Sequence, residues 1–255
     1  MTPADLIAAL DLPAAARVDQ RVPKKLLLEN GAPTATDKRA IADGVEELIW
    51  LAALKPTTIG VAAYRDETRE YLEIAVLSLR LREGAKTARL IELVHRAIPY
   101  PVFLLVEQEG WIALSAANKR WSLGEAGQTV LDGEIVTAEC GGSPSWTDFP
   151  AALALRLQPG AQLYALYQGW IDVLVALSAA RLTGAFVLAA SPEQSAERRE
   201  ALREHARLVE EVAHLRAAAA KETQIARQVD LNLEVQALNA RIRMLWVSIS
   251  AGRSA

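Results

Sequence analysis

The stretch HRAIPYPVFLLV, residues 95–106, contains the change from helix to strand that orders the first half of the chain. Proline disfavours helical geometry in the residue before it, so Ile98 ends the preceding helix. Pro101 can open the next strand, at a position where a missing N–H is tolerated. His95 and Arg96 fall in the last helical turn, where cationic groups favour the carbonyl end of a helix. The stretch is therefore read as a structural corner without a reaction.

Helices and strands are predicted on both sides of this corner. Apolar spacing predicts a helix over 86–98 and an earlier helix, capped by Thr36 and Asp37, that runs to about Leu54 through apolar positions 41, 45, 48, 49 and 51. Apolar runs bounded by turn residues predict strands. These are placed at 58–64, 71–82, 101–108, 111–117 and 133–140. The order of helices and strands predicts an α+β fold, a mixed β-sheet with packed helices.

The C-terminal part of the chain is predicted to be a helical hairpin or coiled coil. A strong helix is expected over 162–182, and residues 195–248 contain neither proline nor glycine. A helix of that length needs cover for its apolar face. Two runs of coiled-coil spacing start at Leu208 and Leu231, and their registers do not join across 221–230. This is either a stutter or a break into two helices. A continuous helix is favoured because that segment contains no helix breaker.

Changes in composition suggest the domain boundaries. We expect an N-terminal segment at 1–33, an α+β core domain at 34–146, a helical connector at 147–192 and a long C-terminal helix or coiled coil at 193–255. The linker GGSPSW, residues 141–146, closes the core domain. The apolar stretch 171–190 is long enough to span a bilayer, but it contains Asp172 and Arg181. A buried helix is therefore expected, and no membrane partner.

The amino-acid composition and charge of the chain argue against several classes of function. The chain is 51% hydrophobic, carries a formal charge of −3 and has a sequence pI near 5.8, which argues against a protein that mainly coats nucleic acid. The single cysteine, Cys140, excludes an internal disulfide and a cysteine zinc site, and it suits the cytoplasm. No glycine-rich phosphate motif is found, since GEAG at 124–127 lacks the following lysine, and the three histidines are far apart. No cofactor or metal is expected.

Two alternatives to a non-enzymatic role stay open. A metal-dependent nuclease would use strand carboxylates, and the available ones are Glu46, Glu47, Glu73 and Glu107. The lysine that such a site needs is missing, and the hypothesis requires Glu73 to meet another strand carboxylate.

A nucleic-acid binding module is the other alternative. It would use the basic residues of RVPKK, 21–25, and NKRW, 118–121, namely Lys24, Lys25, Lys119 and Arg120. Without a binding function, such short basic runs would be a solvated loop and a strand end.

Four segments carry a family resemblance. RVPKKLL, VEELIWLAALKPTTIGV, AIPYP and KETQIARQVDLN stand in this order and resemble, at similar spacing, the bacterial family catalogued as domain of unknown function 4391. The resemblance covers about residues 19–245. Val22, Ile225 and Ala226 depart from the residues usual in that family.

The resemblance implies no activity. It implies a context, since such proteins look like companions of helicases and DNA methyltransferases in bacterial defence loci. The leading hypothesis is therefore a non-enzymatic accessory subunit whose C-terminal coiled coil binds itself or a helicase or methyltransferase partner. The residues predicted to bind the partner are Leu208, Val212, Leu215, Lys221, Gln224, Arg227, Asn232, Val235, Leu238 and Ile242. Their four polar members either fix the register or form a solvated face.

Overall fold

The structure is a computed structural model that describes residues 1–124, 127–141 and 148–251. The chain divides into two compact units, Met1–Leu177 and Ser178–Ala255, and the division falls inside a long helix. The linker predicted at 141–146 lies, apart from Gly141, outside the described residues. So do two residues of the GEAG segment, 125 and 126.

The helices and strands follow one another closely. The strands are β1 (Arg17–Arg21), β2 (Val45–Leu54), β3 (Tyr64–Arg65), β4 (Glu70–Tyr71), β5 (Ile74–Leu81), β6 (Val102–Gln108), β7 (Trp111–Ala116), β8 (Lys119–Trp121), β9 (Thr129–Leu131) and β10 (Val136–Glu139). The helices are α1 (Pro3–Ala9), α2 (Lys24–Asn30), α3 (Ala35–Gly44), α4 (Pro56–Ile59), α5 (Thr87–Ala97), α6 (Asp148–Ala152), α7 (Leu163–Thr183), α8 (Pro192–Lys221) and α9 (Ile225–Ser250).

The first unit is built on a mixed six-stranded sheet in the order β1-β2-β5-β6-β7-β10. β5 and β6 are parallel and are connected by α5, and the other neighbouring strands are antiparallel. The predicted α+β class is confirmed. Residues 1–33, predicted as an N-terminal segment, supply an edge strand, β1, and a core helix, α2.

Both faces of the sheet are covered. On one face, Leu27 of α2, Ile41 of α3 and Leu93 of α5 belong to a core cluster with alternate residues of β5 and β6. Neighbouring side chains of a strand point to opposite faces. Phe103 of β6 therefore faces the other side, where its ring stacks on Trp170 of α7 with centroids 4.5 Å apart.

The helix predicted from Thr36 to Leu54 is wrong in its second half. α3 ends at Gly44, and residues 45–54 form β2, a strand between β1 and β5. The pairing of β2 with β5 shifts register twice, between Val45 and Glu47 and between Trp50 and Ala52. Each β-bulge inserts a residue and breaks the alternation of buried and exposed positions. The resulting apolar spacing of three and four residues imitates a helix.

The strand predicted at 58–64 is also wrong. Pro56–Ile59 forms one helical turn, α4, with proline at its start and Gly60 after its end in the left-handed region, φ 71°. Proline has no N–H to lose at a helix start, and glycine takes positive φ at little cost. Of the predicted strand only Tyr64 belongs to one, the short β3.

The AIPYP corner is held by a buried amine. Lys119, at the start of β8, is only 2% exposed. Its Nζ donates hydrogen bonds to the carbonyl oxygens of His95, at 2.6 Å, and Ile98. The hydroxyl of Thr129 donates to the carbonyl oxygen of Pro99 at 2.9 Å. A helix end leaves carbonyls unpaired, and these side chains supply donors to the end of α5 and the turn beyond it.

His95 does not act as a cation at the end of α5. The side chain is fully buried, with Nε2 2.9 Å from the hydroxyl oxygen of Ser115. Burial, with a smaller contribution from the charge of Lys119, lowers the pKa of His95 to about 3. The imidazole is therefore neutral at pH 7. The cation in the last turn of α5 is Arg96, and burial lowers the pKa of the Lys119 amine beside it to about 7.

α7 is confirmed as the helix predicted at 162–182. It is long and apolar enough to cross a membrane, but 67% of its most apolar window is buried inside the protein. That burial is typical of a core helix.

Replacing Lys119 by methionine tests the corner. Lys119→Met keeps an unbranched chain but leaves two buried carbonyl oxygens without a donor, so we expect a loss of about 2–4 kcal/mol in the free energy of unfolding. Guanidinium unfolding followed by tryptophan fluorescence measures it. Lys25→Met is the matched control, because Lys25 is exposed and pairs with exposed Glu29 one helical turn away. Equal stability of the two variants would contradict the anchoring role.

The burial of neutral His95 predicts that the folded protein loses stability in acid. The unfolded chain binds a proton at this histidine near pH 6.5, whereas the folded chain does not until about pH 3. Stability contributed by neutral His95 is therefore complete above pH 6.5 and falls by about 1.4 kcal/mol per pH unit below it. Unfolding curves between pH 6.5 and about pH 5 should show a flatter dependence for His95→Gln than for the unmodified chain. Parallel pH dependences would refute this assignment.

Candidate partner-binding surface

The second unit is built around a reversal of the chain between α8 and α9. After Lys221 the backbone of Glu222 is extended, with φ −75° and ψ 132°. Its Oε1 accepts hydrogen bonds from the backbone N–H groups of Thr223, at 2.8 Å, and Gln224, at 2.9 Å. The amide of Gln228 donates to the carbonyl oxygen of Ala219 at 3.2 Å and so ties the start of α9 to the end of α8. The N–H groups of Thr223 and Gln224 therefore find their hydrogen-bond acceptor within the turn itself.

The two helices pack antiparallel along one apolar seam. Leu208 and Val212 of α8 are buried against Val235 and Leu238 of α9. Half-buried side chains extend this hairpin seam, and they are Leu215, Ile242 and Leu245. Polar pairs border it far from the turn, since Arg241 lies 2.9 Å from Glu204 and Ser248 donates to Glu197 at 2.8 Å.

The continuous C-terminal helix favoured by the sequence is wrong. The two coiled-coil registers fail to join across 221–230 because the chain turns back there and the two runs lie on opposing helices. The seam closes within one chain. Its central side chains cover each other, so another protein would have to contact other residues of the hairpin.

The predicted polar residues lie at and near the turn. Lys221, Gln224, Arg227 and Asn232 are exposed and lie outside the hairpin seam. A role for them in partner binding stays a prediction.

A second apolar face of α9 points away from the seam. Ile225, Met244 and Val247 are 78%, 77% and 76% exposed, and Val229 and Leu233 are exposed by about half. Between these five large side chains stand small ones, the exposed alanines 226, 237 and 240. We call this face, from Ile225 to Val247, the outer stripe of α9.

Sequence reasoning missed the outer stripe because it assigned the apolar residues of this segment to one seam. Ile225, Val229 and Leu233 follow one another at steps of four. That spacing places them on one side of a helix, and the spacing of Val235, Leu238 and Ile242 places those on the other. A helix with two apolar faces can bury only one of them against a single antiparallel neighbour.

Of the four predicted nucleic-acid residues one is buried, and the other three have partners within the chain. Lys119 is buried at the AIPYP corner, which corrects its assignment to a phosphate contact. Lys24 donates to the carbonyl oxygen of Ala42 at 3.2 Å. Lys25 pairs with Glu29 at 3.5 Å, and Arg120 lies 3.7 Å from Asp132. Each of the four thus has a partner inside the chain.

Glu73, the carboxylate that the nuclease hypothesis depends on, does not share a partner with the other three. Glu73 pairs with Lys55 at 3.1 Å. The three others approach one guanidinium, that of Arg80, at distances of 3.8, 2.9 and 4.0 Å for Glu46, Glu47 and Glu107. Within the described part of the chain no three histidine, cysteine or acidic side chains are grouped so as to hold a metal ion. The geometry required by the nuclease hypothesis is therefore missing there.

Comparison with known proteins identifies the family of the chain. No curated protein and no solved structure matches the chain. A family model, described as domain of unknown function (DUF4391), matches residues 10–242 of the 255 residues. The matched range includes the AIPYP corner, the six-stranded sheet and the hairpin turn. The chain belongs to the family of the domain of unknown function DUF4391.

Proposed function

We propose that this protein is a non-enzymatic accessory or scaffold subunit that binds a protein partner through the outer stripe of α9. The observation that carries the proposal is the exposure of five large apolar side chains along one face of a helix whose other face is already packed. Contiguous exposed apolar surface is rare on monomers and typically marks an interaction site.

The size of the outer stripe fits a helix-mediated interface. α9 has 26 residues, which corresponds to a length of about 39 Å. Burying a Val, Leu, Ile or Met side chain completely stabilises by about 1.5–3 kcal/mol. Only part of this sum appears as affinity, because association also costs translational and rotational freedom. The stripe can nevertheless supply the central apolar contacts of a stable complex.

The electrostatics of the described residues favour a protein partner over nucleic acid. The chain carries a net charge of −3, and Arg80, near the end of the interior strand β5, is surrounded by three glutamates. Phosphate binding requires lysine and arginine side chains that can reach the backbone of the nucleic acid. The candidate lysines and arginine here are paired within the chain.

The family resemblance suggests where such a subunit works. We propose a bacterial helicase or DNA-methyltransferase phage-defence complex in the cytoplasm, in which this chain is the companion and the larger protein carries out the chemistry. An apolar helix face is a common means of docking one subunit on another.

A double substitution in the outer stripe tests this function. Leu233→Glu with Met244→Glu places two charges on the apolar face without touching the hairpin seam. The tagged full-length chain is purified from its own cells, and retained protein is quantified by mass spectrometry. We expect the specifically bound protein, a second copy included, to fall about tenfold or more.

The matched control is Leu157→Glu. Leu157 and Leu233 are both 57% exposed, but Leu157 lies outside the second unit. Circular dichroism verifies that all variants fold. If the double variant retains its bound protein as well as Leu157→Glu does, the outer stripe is not the binding surface.

A further inference from the structure

The residue pattern of the outer stripe is complementary to itself when two copies of α9 run antiparallel. Ala226, Leu233, Ala240 and Val247 recur every seven residues along its centre. Seven residues are close to two helical turns, so these four side chains lie in one row. Small and large residues alternate along the row.

We propose that the occupant of the outer stripe is the α9 helix of a second copy of this chain, packed antiparallel about a twofold axis between Gln236 and Ala237. This inference rests on the proposed function and names its partner. In this register Leu233 lies opposite Ala240 of the second copy, and Ala226 lies opposite Val247. A large side chain thus meets a small one at each of these levels, as interdigitating packing requires. A twofold interface uses the same patch on both copies, so each such contact occurs twice.

The charges beside the row select the antiparallel direction. Asp230 and Arg241 are eleven residues apart, about three turns, and therefore lie on the same flank of the outer stripe. Antiparallel helices bring equal flanks together, so Asp230 of one copy approaches Arg241 of the other, whose guanidinium also lies 2.9 Å from Glu204 of its own chain. Arg243 lies on the opposite flank. In a parallel pair, opposite flanks of the two stripes would face each other at the same height along the helices. Arg241 would then lie near Arg243 of the second copy, where like charges repel.

Oligomer mass and directed cross-linking test the proposal on the full-length chain. Light scattering after size-exclusion chromatography should give twice the chain mass of 27.7 kDa. Leu233→Glu should raise the dimer dissociation constant by roughly 100-fold or more. For cross-linking, Cys140→Ser removes the single native cysteine, and a short bis-maleimide joins cysteines introduced one at a time.

The cross-links report the direction of packing. Ala237→Cys lies beside the proposed axis and should join to its own copy. Ala226→Cys lies far from its own copy, so it should join only to Val247→Cys in a mixture of the two variants. Leu123→Cys, at a residue that is 94% exposed in the first unit, measures random collisions.

Each other outcome overturns the proposal. Efficient joining of Ala226→Cys to itself would demonstrate a parallel pair. The mass of one chain, with cross-linking no greater than that of Leu123→Cys, would exclude the second copy. In that case the proposed function is kept only if the double variant Leu233→Glu with Met244→Glu loses a different protein that the unmodified chain binds. If the double variant loses no bound protein, the proposed function fails as well.

Discussion

The reversal of the chain at Glu222 determines which apolar surface of the second unit is covered. A single carboxylate accepts hydrogen bonds from two N–H groups of the turn, and the returning helix then packs its Val235 and Leu238 against α8. Without the turn, the two apolar runs would lie on a single rod without cover. With it, the seam closes within the chain and the other apolar face of α9 is left exposed. The functional proposal depends on this division of α9 into a used and an unused face.

The first unit depends on a comparable local solution. α5 must end abruptly so that β6 can return parallel to β5, and the abrupt end leaves carbonyl oxygens without helical partners. Lys119 reaches two of them from the start of β8, beyond the next hairpin. A buried amine is costly unless its hydrogen bonds are made, and here they are made to main-chain oxygens that need a donor. The corner thus links α5 to β8.

Sequence patterns were informative where one structural period dominated. The continuous apolar strand β6, the amphipathic helix α5 and the buried helix α7 have a clear period or length, and all three were predicted. β2 was taken for a helix because two β-bulges disturb its alternation. The hairpin turn contains no proline or glycine, and the acceptor that stabilises it is a glutamate side chain that no propensity scale marks as a breaker.

The candidate site was predictable only in part. The sequence predicted an interaction surface on the C-terminal helices, which stays a prediction, and it assigned partner binding to residues such as Leu208 and Leu238, which cover each other. The exposed face could not be distinguished from the packed one before the position of the turn was known. Lys119, within NKRW, resembled a solvated basic group because its carbonyl acceptors are distant in sequence.

The oxidation rate of Met244 tests the central claim most directly. The chain has two methionines, Met1 and Met244, which are 45% and 77% exposed in the isolated chain. Hydrogen peroxide converts exposed methionine to the sulfoxide, and mass spectrometry reads both sites in one sample. If a protein covers the outer stripe of α9 in the native assembly, Met244 should oxidise at least about tenfold more slowly than Met1. Oxidation of Met244 as fast as that of Met1 in the native assembly would contradict the account.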